Sequence, residues 1–292
     1  MYIKNIIYYI ITMDNVNPFI YHFNNGSWRK LSKVRQLMNN LYSNIKKIEN
    51  YNDNNIEILV INTNPEKSLL EKSLDKLGVK YILLGKGLKW SGYHLMNKLP
   101  YDYLINNNNN SKPYILYMDA NDVIINDDPN KLIDRFIEYD TDLILSAESN
   151  FFCNSIKNKC NETTKEYHKE MKIFEDNLYT DISFKRPPLY EKDFCDELKQ
   201  LLKGKKKDKW FMPRFTDDIH QRYANCGCYF GKREFVLKYL QEIVDYYKKY
   251  DYICSSATGH ILHKRYYPKI KLDYKSNLFQ SMISCYEVPK KV

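Results

Sequence analysis

Short apolar runs alternate with longer amphipathic stretches through the first half of the chain. "IIYYIIT" (6–12) reads as a buried strand, and residues 29–48 carry Leu31, Val34, Leu37, Met38, Leu41 and Ile45 at helical spacing. "IEILVINT" (56–63) predicts a second strand. A helix then opens at Pro65 and runs to Leu77, where Gly78 stops it. "VKYILLG" (79–85) gives a third strand and residues 91–105 another helix. "PYILYMD" (113–119) is a fourth strand, "DPNKLIDRFIEY" (128–139) a helix and "DLILSAE" (142–148) a fifth strand. Such alternation predicts an α/β fold, with a doubly wound, Rossmann-like, mostly parallel sheet flanked by helices.

Residues 150–221 break the rhythm, being irregular and polar, and read as an insertion that shapes or covers a site. Beyond them a strand ends near Gly231 and a strongly amphipathic helix spans Lys232 to Lys249. A helix over 256–267 and a strand over 269–274 follow. No repeat and no linker is visible. The expectation is one domain over 1–292, made of a first half at 1–149, the insertion at 150–221 and a second half at 222–292.

Charge and cysteine content narrow the function classes. The formal net charge of +9 favours anionic ligands such as nucleotides and phosphates. The densest basic run, "KGKKKDK" (203–209), lacks interleaved aromatics and reads as a solvated loop, so nucleic acid is not an expected partner. Seven cysteines form neither a CxxC pair nor a zinc spacing. Cys226 and Cys228 fit alternate faces of one strand, whereas Cys153 and Cys160 bracket a loop that a disulfide could close in an oxidising compartment. His22, His94, His168, His220, His260 and His263 are scattered. The sequons at Asn25 and Asn161 matter only in a secretory compartment. The apolar N-terminal run is short and interrupted by Lys4, so neither a signal peptide nor a transmembrane helix is expected. Abundant Asn, Lys, Ile and Tyr suit the AT-rich genome of a large DNA virus or a protist. A viral origin would place the protein in host cytoplasm or virion.

"YILYMDANDVIIND" (114–127) carries the candidate chemistry. A buried strand ends on Asp119, and Asp122 follows three residues later. In an open α/β sheet ligands bind beyond the carboxyl ends of the strands, where Asp119, Asp122 and Glu148 all fall. Two readings stand: an ordinary strand-end turn, or a pair of hard oxygen ligands for Mg²⁺ or Mn²⁺ and the phosphates such an ion holds. A dehydrogenase of the Rossmann type would need a glycine fingerprint that "TMDNVNP" lacks, and a haloacid-dehalogenase phosphatase would need D-x-D.

Several stretches together resemble the glycosyltransferase domain of the lysyl hydroxylase/procollagen glycosyltransferase family. They are "GKGLKWSGYH", "LYMDANDVIINDDPNKLIDRF", "DLILSAESNFFC", "RYANCGCYFGKRE" and "IKLDYKSNLFQSM", in the family's order from 85 to 282. The resemblance implies a GT-A-like fold, Mn²⁺ (or Mg²⁺) as cofactor and a UDP-sugar as donor. The acceptor would be a hydroxyl group, by analogy hydroxylysine on a collagen-like protein made by a separate lysyl hydroxylase. A homodimer is compatible with this reading.

By the same resemblance Asp119 and Asp122 would bind the metal. Thr12 and Asp14 would sit beside the uridine, and Trp90 would line the nucleotide-sugar pocket. Asn121 stands where the family has an aromatic residue, and Asn225 and Gly227 would lie under the donor sugar or the acceptor. Cys153 and Cys160 resemble the family's loop-closing pair. Two departures stand out. The third metal ligand, a histidine in the family, is here Tyr274, which binds well only after losing a proton with a pKa of about 10. The family's D-D-Q motif is also missing, leaving Asp217 and Asp218 in "FTDDIHQRY" as candidate catalytic carboxylates. From its place in the pattern Glu148 is not an obvious replacement for that motif. The expectations are therefore a metal-dependent UDP-hexosyltransferase, or a catalytically impaired protein on the same scaffold with a binding or structural role.

Overall fold

The computed structural model describes residues 19–22, 32–107, 112–148, 223–249, 255–273 and 277–281. The strand expected at 6–12 and the insertion at 150–221 lie outside them. The main sheet contains β2 (Ile56–Ile61), β3 (Ile82–Leu84), β4 (Tyr114–Asp119), β6 (Leu143–Glu148), β7 (Tyr223–Lys232) and β8 (Ile270–Asp273). Its order is β3-β2-β4-β7-β6-β8. Among the described residues both antiparallel pairings of this sheet belong to β7, and the others are parallel. Strands of both predicted halves thus share one mixed sheet. β2 and β4 are paired along six residues, from Ile56↔Tyr114 to Ile61↔Asp119, so no strand intervenes between them.

Helices cover both faces. On one lie α1 (Ser32–Asn44), α2 (Leu69–Leu77) and α4 (Lys131–Glu138), which bury Met38, Leu70, Leu74, Leu132 and Phe136 against Ile58, Leu116, Ile144 and Phe230. The other carries α3 (Leu95–Asn106), α5 (Arg233–Lys249) and α6 (Ser255–Tyr266), whose Met96, Leu104, Val236, Leu240 and Leu262 pack on Leu59, Tyr117, Leu145 and Tyr229. Apolar residues on both faces of the strands explain why they read as continuous hydrophobic runs rather than as alternation.

A second sheet was not foreseen. β5 (Val123–Ile125), β1 (Ile20–His22) and β9 (Phe279–Ser281) form a three-stranded sheet in the order β5-β1-β9. The apolar "VII" after Asp122 is therefore a strand in its own right, fully buried on the α2 side. Two predicted helices also start late, for identifiable reasons. α2 begins at Leu69 rather than Pro65 because Ser68 and Glu71 form a capping box. α3 begins at Leu95 because Gly92, at φ 138°, holds a conformation closed to other residues.

Candidate functional site at the carboxyl edge of the sheet

Asp119 is the last residue of β4, and the turn Ala120–Asp122 leads directly into β5. Asp119 is half-buried, Asn121 exposed and Asp122 buried. The turn is clamped from α2 and from the segment before it. The Leu70 N–H donates to the Ala120 carbonyl at 3.4 Å, and the Asn64 amide donates to Asn121 Oδ1 at 3.4 Å. Asn62, which follows β2, donates through Nδ2 to Glu71 Oε2 at 2.6 Å and fixes that segment in turn. The first turn of α2 so uses a main-chain donor that the helix itself leaves unpaired to hold the carboxylate turn.

Cys228 on β7 reports the electrostatics of this corner. Burial pushes its thiol well up, and the charges of Asp119 and Asp122 push the same way, opposed by a hydrogen bond from the Asp119 main chain. One thiol therefore senses both carboxylates. Cys226 faces the opposite side of the sheet, 3.5 Å from the Tyr239 hydroxyl, so the two thiols lie on alternate faces as the C-x-C spacing predicted.

The register of β7 against β6 breaks here. Leu145 pairs with Tyr229, yet the next residue, Ser146, pairs with Asn225, so residues 226–228 bulge out of the ladder. Asn225 pins the bulge. Its Oδ1 accepts from the Gly227 N–H at 2.7 Å, and its Nδ2 donates to Glu148 Oε2 at 3.0 Å. Glu148 is 1% exposed. Sequence reasoning placed Asn225 and Gly227 beneath a substrate. The structure joins them to a buried carboxylate 77 residues away along the chain, a contact no local pattern signals.

Asp273, at the end of β8, is consumed by structure. Its carboxylate accepts from the main-chain N–H groups of Asn277, Leu278 and Phe279 at 2.8, 2.8 and 2.7 Å, and from the Tyr139 hydroxyl. Burial raises its pKa, and these donors oppose the rise. Trp90 lies in the loop after β3, at the same edge of the sheet. It is exposed, and its ring meets that of Tyr93 edge-on at 5.8 Å. Gly85 lets this loop pass close to its neighbours: at φ 82° a Cβ there would stand 3.0 Å from Leu99 Cδ1. Thr12, Asp14, Asp217, Asp218, Tyr274, Cys153 and Cys160 lie outside the described residues.

At the opposite, amino edge a cavity of about 580 Å³ is lined by Asp53, Glu57, Asp75, Lys80, Tyr81 and Lys112. Its acids are matched to bases. Burial pushes Asp53 up, but hydrogen bonds from Lys112 and Lys80 outweigh it and hold the carboxyl below its ordinary range. The cavity reads as a set of structural ion pairs. Among the described residues no group of three or more His, Cys, Asp or Glu side chains could hold a metal ion, and no helix is long and apolar enough to cross a membrane.

No protein-family model matches the chain, and no curated protein matches it. Among solved structures it is similar to A197 from STIV, at a TM-score of 0.31 and 11% identity, over 63% of this chain and 68% of that one. A likeness that weak carries no argument about fold family or activity, and the α/β architecture with its mixed sheet rests on the chain's own strands and helices.

Proposed function

We propose that the protein is a GT-A-like transferase that moves a hexose from a UDP-sugar to a hydroxyl acceptor. The observation that carries this reading is the Asp119/Asp122 pair at the carboxyl end of β4, in a turn clamped by α2. Hard divalent cations take one or two carboxylates and leave their other positions to phosphates and water. One half-buried and one buried aspartate suit that requirement. Such a cation, when bound, offsets the negative charge on a departing diphosphate. Asp119 and Asp122 would hold it, the exposed Trp90 ring would stack on a planar or sugar face of the donor, and the Asn64–Asn121 contact would fix the turn between them. Hydroxylysine on a collagen-like chain is the acceptor class by resemblance.

A second reading follows from Tyr274 standing where the resemblance places a histidine ligand: a protein that keeps the scaffold and binds the nucleotide without turnover. Thermal unfolding with UDP, with and without Mn²⁺, tests the site, because a ligand bound only by the native state raises the midpoint. UDP should stabilise the wild type only when Mn²⁺ is present, and Asp119→Ala combined with Asp122→Ala should abolish the shift. No shift in the wild type would sink the metal site. Binding without turnover of UDP-glucose or UDP-galactose would favour the second reading.

A further inference from the structure

Three polar groups meet where the β6–β7 register slips. Glu148 and Ser146 lie two residues apart on β6 and so project from the same face of the sheet. Asn225 is the register partner of Ser146 and donates to Glu148. All three are more than nine-tenths buried. Asn225 spends its oxygen on Gly227 and an amide proton on Glu148, whereas Ser146 Oγ has no hydrogen-bond partner among the described residues. A buried hydroxyl left in that state costs about 1–3 kcal/mol, and here it stands beside a carboxylate held by an amide. The face is the one on which Cys228 packs, and the group lies at the carboxyl edge of the sheet, as Asp119 and Asp122 do. Adjacent strands are about 4.8 Å apart, and only β7 separates β6 from β4. β6 and β4 therefore run about 10 Å apart laterally, and a sugar between a diphosphate and an acceptor would bridge the carboxyl ends of those two strands.

The geometry points to Glu148 as the general base of the transfer, with Asn225 its positioning residue and Ser146 a donor or acceptor to the reacting hydroxyl. This assignment rests on the transferase reading given above. In the step, the acceptor O–H passes its proton to a Glu148 carboxylate oxygen. The acceptor oxygen bonds to the anomeric carbon, and the bond from that carbon to the β-phosphate oxygen breaks. Its electron pair leaves with UDP. A base placed this way serves direct displacement, so configuration at the anomeric carbon inverts. Water can take the acceptor's place, which makes donor hydrolysis a usable assay before the acceptor is known.

The test is hydrolysis of UDP-α-glucose and UDP-α-galactose by the full chain with Mn²⁺, comparing wild type, Glu148→Gln, and Asp119→Ala with Asp122→Ala. Glutamine keeps an oxygen to accept from Asn225, so a merely structural role would survive the change. Glu148→Gln should bind UDP as the wild type does, lose 100-fold or more in kcat with little change in KM, and lose the acid limb of the pH–rate profile; positioned bases contribute about 10²–10⁴-fold. The hexose first released by wild type should be the β-anomer by NMR. A Glu148→Gln rate within about threefold of wild type, or release of the α-anomer, overturns the assignment of Glu148. If the aspartate variant is then inactive, the site reading survives. Wild type that binds UDP but turns over neither donor removes the base as well, and wild type that does neither overturns the reading and the assignment together.

Discussion

The guanidinium of Arg233, the first residue of α5, reaches through the edge of the sheet to the carboxylate of Glu57 on β2, 176 residues away in sequence. Both side chains are buried. Arg233 Nε also donates to the Lys112 carbonyl at 3.0 Å, its main-chain N–H to the Pro113 carbonyl at 2.8 Å, and the Tyr103 hydroxyl donates to Glu57 Oε1 at 3.0 Å. The contact fastens the late-arriving α5 to the strands laid down first. Truncating one partner strands the other charge in the interior, which costs about 3–5 kcal/mol. Glu57→Ala should lower the unfolding free energy by that much, read from urea titration. Replacing both residues by apolar ones of similar volume should restore most of the loss.

Gly231 on β7 has no room for a side chain. A Cβ there would stand 2.7 Å from the Asp142 carbonyl and 3.1 Å from Leu143 Cα, both main-chain atoms that cannot turn aside. Gly231→Ala should therefore destabilise by about 1–3 kcal/mol, measured by equilibrium unfolding. The effect should come from separation of β6 and β7 at their amino-edge end.

His263 on α6 is buried, and burial depresses its pKa to about 4 from the ordinary 6.5. The unfolded chain then binds the proton more readily than the native one, so stability falls as pH drops from about 6.5 toward 4. At pH 5 the loss should be about 2 kcal/mol relative to neutral pH. Asp273 runs the other way, since its raised pKa lets the native state take up a proton first on acidification. The difference between wild type and His263→Leu, followed by unfolding at pH 7.5 and pH 5, isolates the histidine. Equal slopes in the two proteins would show that His263 is not the source.

Trp90 separates binding from stability. At 44% exposed its ring contributes little to the core, so Trp90→Ala should shift stability by less than about 0.5 kcal/mol. Stacking of this kind is worth about 1–3 kcal/mol. Affinity for UDP-glucose, read by calorimetry with Mn²⁺, should fall about tenfold or more. Unchanged affinity would remove Trp90 from the donor site.

The strands of the main sheet were legible as mostly apolar runs bounded by turn residues, from "IEILVI" to "IKLD", but the antiparallel course of β7 between β4 and β6 was not. Neither was the small sheet. Ile20–His22, Val123–Ile125 and Phe279–Ser281 are three residues each, too short to show a period, and they pair only because distant segments meet. The site divides in the same way. Asp119 and Asp122 announce themselves by following an apolar run. Glu148 stood at a strand end like any turn acid, and it acquired a chemical neighbourhood only once the register slip placed Asn225 beside it.

Glu148 and Tyr223 are paired neighbours on β6 and β7. The two residues therefore stand about one strand spacing apart at the carboxyl edge of the sheet. The entropy of bringing two such positions together grows only with the logarithm of the chain length between them. Their wide separation in sequence thus weighs little against the pairing, and a chimera joined at Glu148 and Tyr223 would meet the described strands at a pair already in register.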